Sequence, residues 1–309
     1  MFNPTLRIDH RNRRSILTKR DRMKFVSAPT FVFLAAAGLL AAAGPATADI
    51  SGFGNGVGYT LTGYTQDDLG NIINTTAPTI SNGALTITTA AAGEARAAFF
   101  NTPQTIHNFT ATFTFQMDPS SSGPLGPSDG FAFVLQNDSR STAAIGGGGA
   151  GLGYGLMNNN QPPSGQPALT AITPSGAVEF FLRNGNGAVS AVEFGGTIDP
   201  NLGTTTGTVS LISGDPIAVV LSYNGTILTE TLTDLNTPSD VYMASYTIGK
   251  GSGGVQGGSA YVGFTGGTGG GYSTQTISNF TYTTPEPAAL ALLAFAGAGM
   301  LLLRKRRPN

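Results

Sequence analysis

Residues 109–117 read Phe-Thr-Ala-Thr-Phe-Thr-Phe-Gln-Met, an alternation of apolar and polar side chains sustained over nine positions. Successive residues of a strand face opposite sides, so this spacing buries Phe109, Ala111, Phe113, Phe115 and Met117 together and turns the threonines outward. It predicts a half-buried strand. Residues 131–135, FAFVL, are apolar on both faces, which predicts a strand covered from both sides. Downstream, IAVVLSY (217–223) and TILTETLTD (226–234) flank Asn224-Gly225, the strongest short hairpin signal, and predict a type I′ turn there. Further strands are predicted at 84–89, 177–182, 241–248, 260–264 and 277–283. No segment between 49 and 284 keeps a helical period, so the fold class is all-β, an antiparallel β-sandwich.

The ends follow a different grammar. Residues 31–43 (FVFLAAAGLLAAA) form an apolar run of signal-peptide length, and Pro45 and Ala46-Thr47-Ala48 supply a small-x-small cleavage site. Residues 1–48 are therefore read as a signal peptide, with the mature chain starting near Asp49. The basic stretch 1–22 is longer than a usual n-region, and Met23-Lys24 would serve as a conventional start. At the other end, Pro285-Glu286-Pro287 precedes an apolar run from Ala288 to Leu303 that closes on Arg304, Lys305, Arg306 and Arg307. By itself this reads as a short membrane anchor with its basic end in the cytoplasm. The order of its parts resembles the PEP-CTERM sorting signal of Gram-negative bacteria. That resemblance implies export, transient inner-membrane insertion through 288–303, removal of the tail by an exosortase-type enzyme, and an exopolysaccharide-producing cell.

Between the ends, four basic residues (Arg96, Arg140, Arg183, Lys250) stand against fourteen acidic ones, a balance of −10. Such a surface repels phosphate backbones, which argues against nucleic-acid binding. There is no cysteine, so neither disulfides nor thiolate chemistry enters. Stability rests on core burial, which roughly 235 residues can supply. The segment contains one histidine, His107, too little for a nucleophile–base–acid triad. A glycosidase would need two carboxylates at even spacing on one strand. Glu179 is followed at even spacing by Phe181 and Arg183, and Glu193 by Gly195 and Thr197, so neither strand supplies the pair.

The glycine run GGGGAGLGYG at 146–155 lacks the Gly-Lys-Ser/Thr ending of a phosphate loop, and no helix follows it. On composition alone it is a flexible surface loop. Its setting says more. Ser128-Asp129-Gly130-Phe131-Ala132-Phe133-Val134-Leu135, the glycine run and Leu152-Gly153-Tyr154 resemble segments of the legume-type (L-type) lectins. AFFNTPQTIHNFTATFTFQ before them, and AVEFFLRNGNG, SGDPIAVVLSYNGTILTETLTD and AYVGFTGGTGG after them, resemble the exported bacterial branch of that family. The resemblance spans about residues 56–283. It implies a concanavalin A-like jelly roll at 49–284 that binds a glycan or exopolysaccharide without catalysis.

The same resemblance assigns roles. Asp129 would accept hydrogen bonds from sugar hydroxyls, and the backbone at Gly149, Ala150 and Gly151 would donate to them. Glycine suits that task because it has no Cβ to block approach. Tyr154 is the candidate aromatic platform. Val178-Glu179-Phe180 matches the strand that starts the family's Ca²⁺/Mn²⁺ site, but Phe181 stands where a metal-bridging Asp is expected, and a phenyl ring offers calcium no oxygen. No bound metal is therefore expected, with Glu179 a ligand only of a degenerate site. Asn184 and Asn186 flank the expected Asn position and could reach the sugar as neutral groups. Two other functions compete: a matrix protein with a lectin fold and no sugar affinity, and a glycoside hydrolase using Glu179 or Glu193.

Overall fold

The computed structural model describes residues 49–156, 168–182, 189–199, 203–248, 254–255 and 257–285. The expected signal peptide, the apolar tail with Glu286 and Pro287, and both Asn184 and Asn186 fall outside them.

The described strands form two antiparallel sheets stacked as a sandwich. The first runs Val241–Thr247, Ile227–Asp234, Ile217–Tyr223, Phe109–Asp118, Thr274–Thr283, Ala84–Thr88 and Thr79–Ser81, with Ile50–Ser51 also pairing Thr274–Thr283. The second runs Thr204–Thr205, Val189–Phe194, Ser175–Phe181, Gly130–Gln136, Ser259–Gly267, Glu94–Phe100, Tyr59–Gln66 and Ile72–Asn74, with Gln104–Thr105 also pairing Ser259–Gly267. Every strand predicted from alternation is present. The architecture is the all-β jelly-roll sandwich that the sequence implied.

The alternation at 109–117 is realised residue by residue. Phe109, Ala111, Phe113, Phe115 and Met117 are buried between the sheets, while Thr110, Thr112 and Thr114 are only partly covered on the outer face. Phe113 meets Phe131, Phe133, Phe180 and Phe264 at centroid distances of 5.0 to 6.3 Å, so rings from both sheets interlock. Strand Gly130–Gln136 is apolar on both faces for a visible reason. Phe131, Phe133 and Leu135 face the inter-sheet core, whereas Ala132 and Val134 join a second cluster with Ala97, Phe99, Ala144, Tyr154 and Ile172. The segments around 144–155 and 169–172 thus cover the outer face of the second sheet, and the glycine run belongs to that cover.

One turn differs from its prediction. Tyr223 pairs with Leu228 and Asn224 N–H donates to Ile227 O at 3.2 Å, so the two-residue loop is Gly225-Thr226, not Asn224-Gly225. Gly225 carries the positive φ (92°) and Asn224 does not, which is the glycine position of a type II′ connection. The Asn224 side chain instead caps the turn, its Oδ1 accepting from Thr226 N–H and Ile227 N–H.

Candidate functional site

Asp129 opens strand Gly130–Gln136 at the rim of the second sheet. Its N–H donates to Gly267 O (3.1 Å), its carbonyl accepts from Leu182 N–H (2.8 Å), and the Ser128–Asp129 peptide is cis. The next residue must be glycine. Gly130 has φ 139°, and a Cβ there would lie 2.0 Å from Phe180 O. The Asp-Gly pair therefore sets the carboxylate at the rim while the chain enters the core.

Across from it lies the turn Gly149–Gly151. Gly149 (φ 55°) is close enough that a Cβ would come within 3.6 Å of Asp129 Oδ2, and one on Gly269 would reach 2.9 Å from the same oxygen. Two bare backbones thus flank one carboxylate. The expected meeting of Asp129 with the glycine backbone is present, and Gly269, from the turn after Ser259–Gly267, is a third member that sequence reasoning missed. Its signal was the segment AYVGFTGGTGG, read as a mark of the fold and not of the rim. Leu125, 58% exposed and packed beside Gly270, adds an apolar group to the same edge.

The glycine run is not a loose loop. Gly146 N–H donates to Gly153 O (2.6 Å), Gly147 N–H to Gly155 O (2.7 Å) and Gly153 N–H to Gly147 O (2.8 Å), which closes the segment on itself. Arg140 fixes its start, donating through Nη1 to Ile145 O (2.7 Å) and through Nη2 to Ala171 O (2.9 Å). Asp138 holds that guanidinium and accepts from Thr173 N–H. Burial opposes its charge, yet the hydrogen bonds from Arg140 and Thr173 win and bring its carboxyl down to about 2. Thr268 fixes the facing turn, its Oγ1 donating to Ala91 O and accepting from Glu94 N–H.

Closure of the run revises three expected roles. Gly149 N–H is spent on Thr268 O (3.0 Å), and Gly151, which is buried, spends its N–H on Gly148 O (3.0 Å). Neither is available to a ligand. Ala150, partly exposed, is the residue of the three whose N–H makes no such bond among the described residues. Tyr154 is fully buried in the second core cluster, with its hydroxyl bonded to Ser175 Oγ (2.9 Å) and accepting from Gly196 N–H (3.1 Å). It cannot serve as a platform.

The position where the resemblance expects a metal-bridging Asp is apolar. Phe181, 1% exposed, packs with Leu152 and Val189, and Ile198 lies against the cluster. Leu152 ends the Gly149–Gly151 turn in the left-handed region (φ 54°), so the phenyl ring supports the site's backbone from beneath. Among the described residues no three His, Asp or Glu side chains are placed to hold a metal. Among the described residues, the side chains around Phe181 offer none of the oxygen donors that the two cations of the family resemblance would need.

Glu179 lies two residues before Phe181 on the same face and is fully buried, with neither carboxyl oxygen hydrogen-bonded. In the paired strand Glu179 faces Ala191 and Ala177 faces Glu193, which makes the two glutamates diagonal neighbours. Burial, then the charge of Glu193, pushes the Glu179 carboxyl well above the ordinary carboxylate range. Glu193 is raised too, by burial and then by Asp199. A carboxyl sealed in this way cannot meet a sugar, which removes Glu179 as a hydrolytic acid.

A family model described as the legume lectin domain matches residues 57–291. No curated protein matches the sequence. Solved structures do. A lectin from Bauhinia forficata in complex with GalNAc is 19% identical, covers 76% of this chain and 97% of its own, and superposes with a TM-score of 0.53. Lectin I-B4 from Griffonia simplicifolia, in a metal-free form, is 19% identical, with coverages of 77% and 99% and a TM-score of 0.54. Lectin II from Ulex europaeus is 16% identical, with coverages of 76% and 97% and a TM-score of 0.54. At these identities the structural likeness speaks to the fold.

Proposed function

The chain belongs to the legume lectin domain family, and on that premise we propose that it is a non-catalytic carbohydrate-binding protein whose glycan sits at the Asp129 rim without a metal ion. The observation that carries this reading is the approach of two glycine backbones, Gly149 and Gly269, to one rim carboxylate. A sugar presents adjacent hydroxyls that both donate and accept. Asp129 accepts from them, Ala150 N–H donates to them, and Leu125 covers an apolar face of the ring. Asn184 and Asn186 are candidates for further neutral contacts.

Phe181 and Leu152 replace the ions as the support of the rim, so binding is independent of divalent cations. The protein acts outside the inner membrane, at the cell surface or in the exopolysaccharide, after an exosortase-type enzyme removes the tail that begins at Pro285. A glycan array probed with and without EDTA tests the reading. One class of glycan is expected to be retained in both conditions. Retention of none would leave the matrix-protein reading.

A further inference from the structure

Among the described residues, a concave feature lies between the sheets. A cavity of about 380 Å³ is walled by Phe109, Phe133, Leu135, Val192, Leu228 and Ile248, with His107, Gly225 and Gly257 at its mouth. It is remote from the sugar rim. Asp129 and Leu135 stand at opposite ends of one strand, six residues and therefore about 20 Å apart. Its volume falls in the range of small-molecule sites.

The chemistry of the walls restricts the occupant. No Asp, Glu, Lys or Arg contributes to the described lining, and the only titratable side chains are His107 and Tyr223. Burying an ion or a strongly polar molecule there would strip its hydration with no partners to replace it. Aliphatic and aromatic walls between two sheets, which pack about 10 Å apart, instead suit a narrow hydrocarbon that enters end-on. The bare mouth favours this, since Gly225 and Gly257 put no side chain across it.

The C-terminal strand points to the source of such a molecule. Thr283 pairs with Thr110, and Tyr282 stacks on the wall residue Phe109 at 5.0 Å. Because these two strands are antiparallel, the end of Thr274–Thr283 lies beside the start of Phe109–Asp118, next to the wall residue Phe109. The apolar stretch Ala288–Leu303 follows within a few residues. On the proposed insertion through that stretch, before the tail is removed, this end of the sandwich is tethered close to the bilayer.

We propose that the inter-sheet cavity binds the acyl chain of a lipid, presented to it at the membrane end of the sandwich. Hydrocarbon enters past His107 and Gly257 and lies against Phe133, Leu135 and Val192. The polar head remains outside with His107.

The test uses the full chain and dansyl-labelled undecanoate, whose emission brightens and shifts to the blue in an apolar site. Bound probe is expected to be displaced by palmitate, by phosphatidylglycerol vesicles, or by both. Displacement by palmitate alone identifies a free acid as the source, and displacement by vesicles a membrane lipid. Filling the cavity with Val192→Trp should weaken binding at least about tenfold. Val255→Trp, in the wall but outside the strands, should do the same without touching the core, and circular dichroism verifies that each variant is folded. No emission change, or a change that both folded variants leave intact, would overturn the proposal. Glycan binding at Asp129 does not enter this experiment, so the two sites stand or fall separately.

Discussion

At the scale of single residues the site depends on what has been kept away from Asp129. Replacing Asp129 with Asn keeps its shape and removes its charge. The expected loss is about ten- to a hundredfold in glycan affinity, read by titration calorimetry, with an unchanged fold. Gly269→Ala puts a methyl 2.9 Å from Asp129 Oδ2 and should displace the carboxylate, weakening binding several-fold while melting within about 1 kcal/mol of the parent. Glu179 makes the opposite kind of prediction, one for stability. Its carboxyl is raised by burial and by Glu193, so the stability it contributes is complete below its ordinary value of 4.5 and is lost as pH rises through the raised one. Glu179→Gln mimics the protonated form. In urea titrations across pH it should flatten the decline on the alkaline side, and the variant should exceed the parent in stability above neutral pH. A parent whose stability is flat from pH 5 to about 9 would refute the buried, proton-bearing Glu179.

At the scale of elements, the turn Gly149–Gly151 and the strand Ser175–Phe181 hold each other. Phe181→Ala removes the ring under Leu152 and should cost about 3–5 kcal/mol in denaturant unfolding, whereas Phe181→Leu keeps an apolar filling and should cost less than about 1.5 kcal/mol. The alanine variant should also bind glycan more weakly, because the rim loses its floor. The strands were legible because alternation is a local property: Phe109 to Met117 declare their faces without reference to any partner. Asp129 was legible only through the resemblance of Ser128–Leu135 to the L-type lectins, because a single Asp-Gly pair before an apolar strand carries no ligand of its own in the local pattern. The hydrogen bonding of the glycine run was not. Whether Gly149 N–H meets a ligand or Thr268 O depends on a turn 119 residues away, and Tyr154 is buried by segments that no periodicity connects to it. Asn224-Gly225 shows the same limit in small. The hairpin could be read from the dipeptide, but the one-residue choice between two turn types is made by strand register.

At the scale of the whole molecule, an acidic sandwich whose rim sets one carboxylate between bare backbones would bind a glycan chiefly through hydrogen bonds, which favours modest affinity at each site and many copies along a polymer. The proposed export belongs to this scale as well. Changing Pro285, Glu286 and Pro287 to alanine is expected to retain the protein in the inner membrane, and mass spectrometry of the released parent should show a chain ending near Pro285. Fractionation that finds the parent and the variant equally in the medium would contradict the sorting role. The most direct test of the central claim, a metal-free glycan site at Asp129, is calorimetry of a glycan retained on the array, with the parent and the Asp129→Asn chain both in EDTA. The parent should bind with the same affinity in EDTA as in calcium, and the variant should lose that binding. Loss of parent binding in EDTA, or an Asp129→Asn chain that binds as well as the parent, would contradict it.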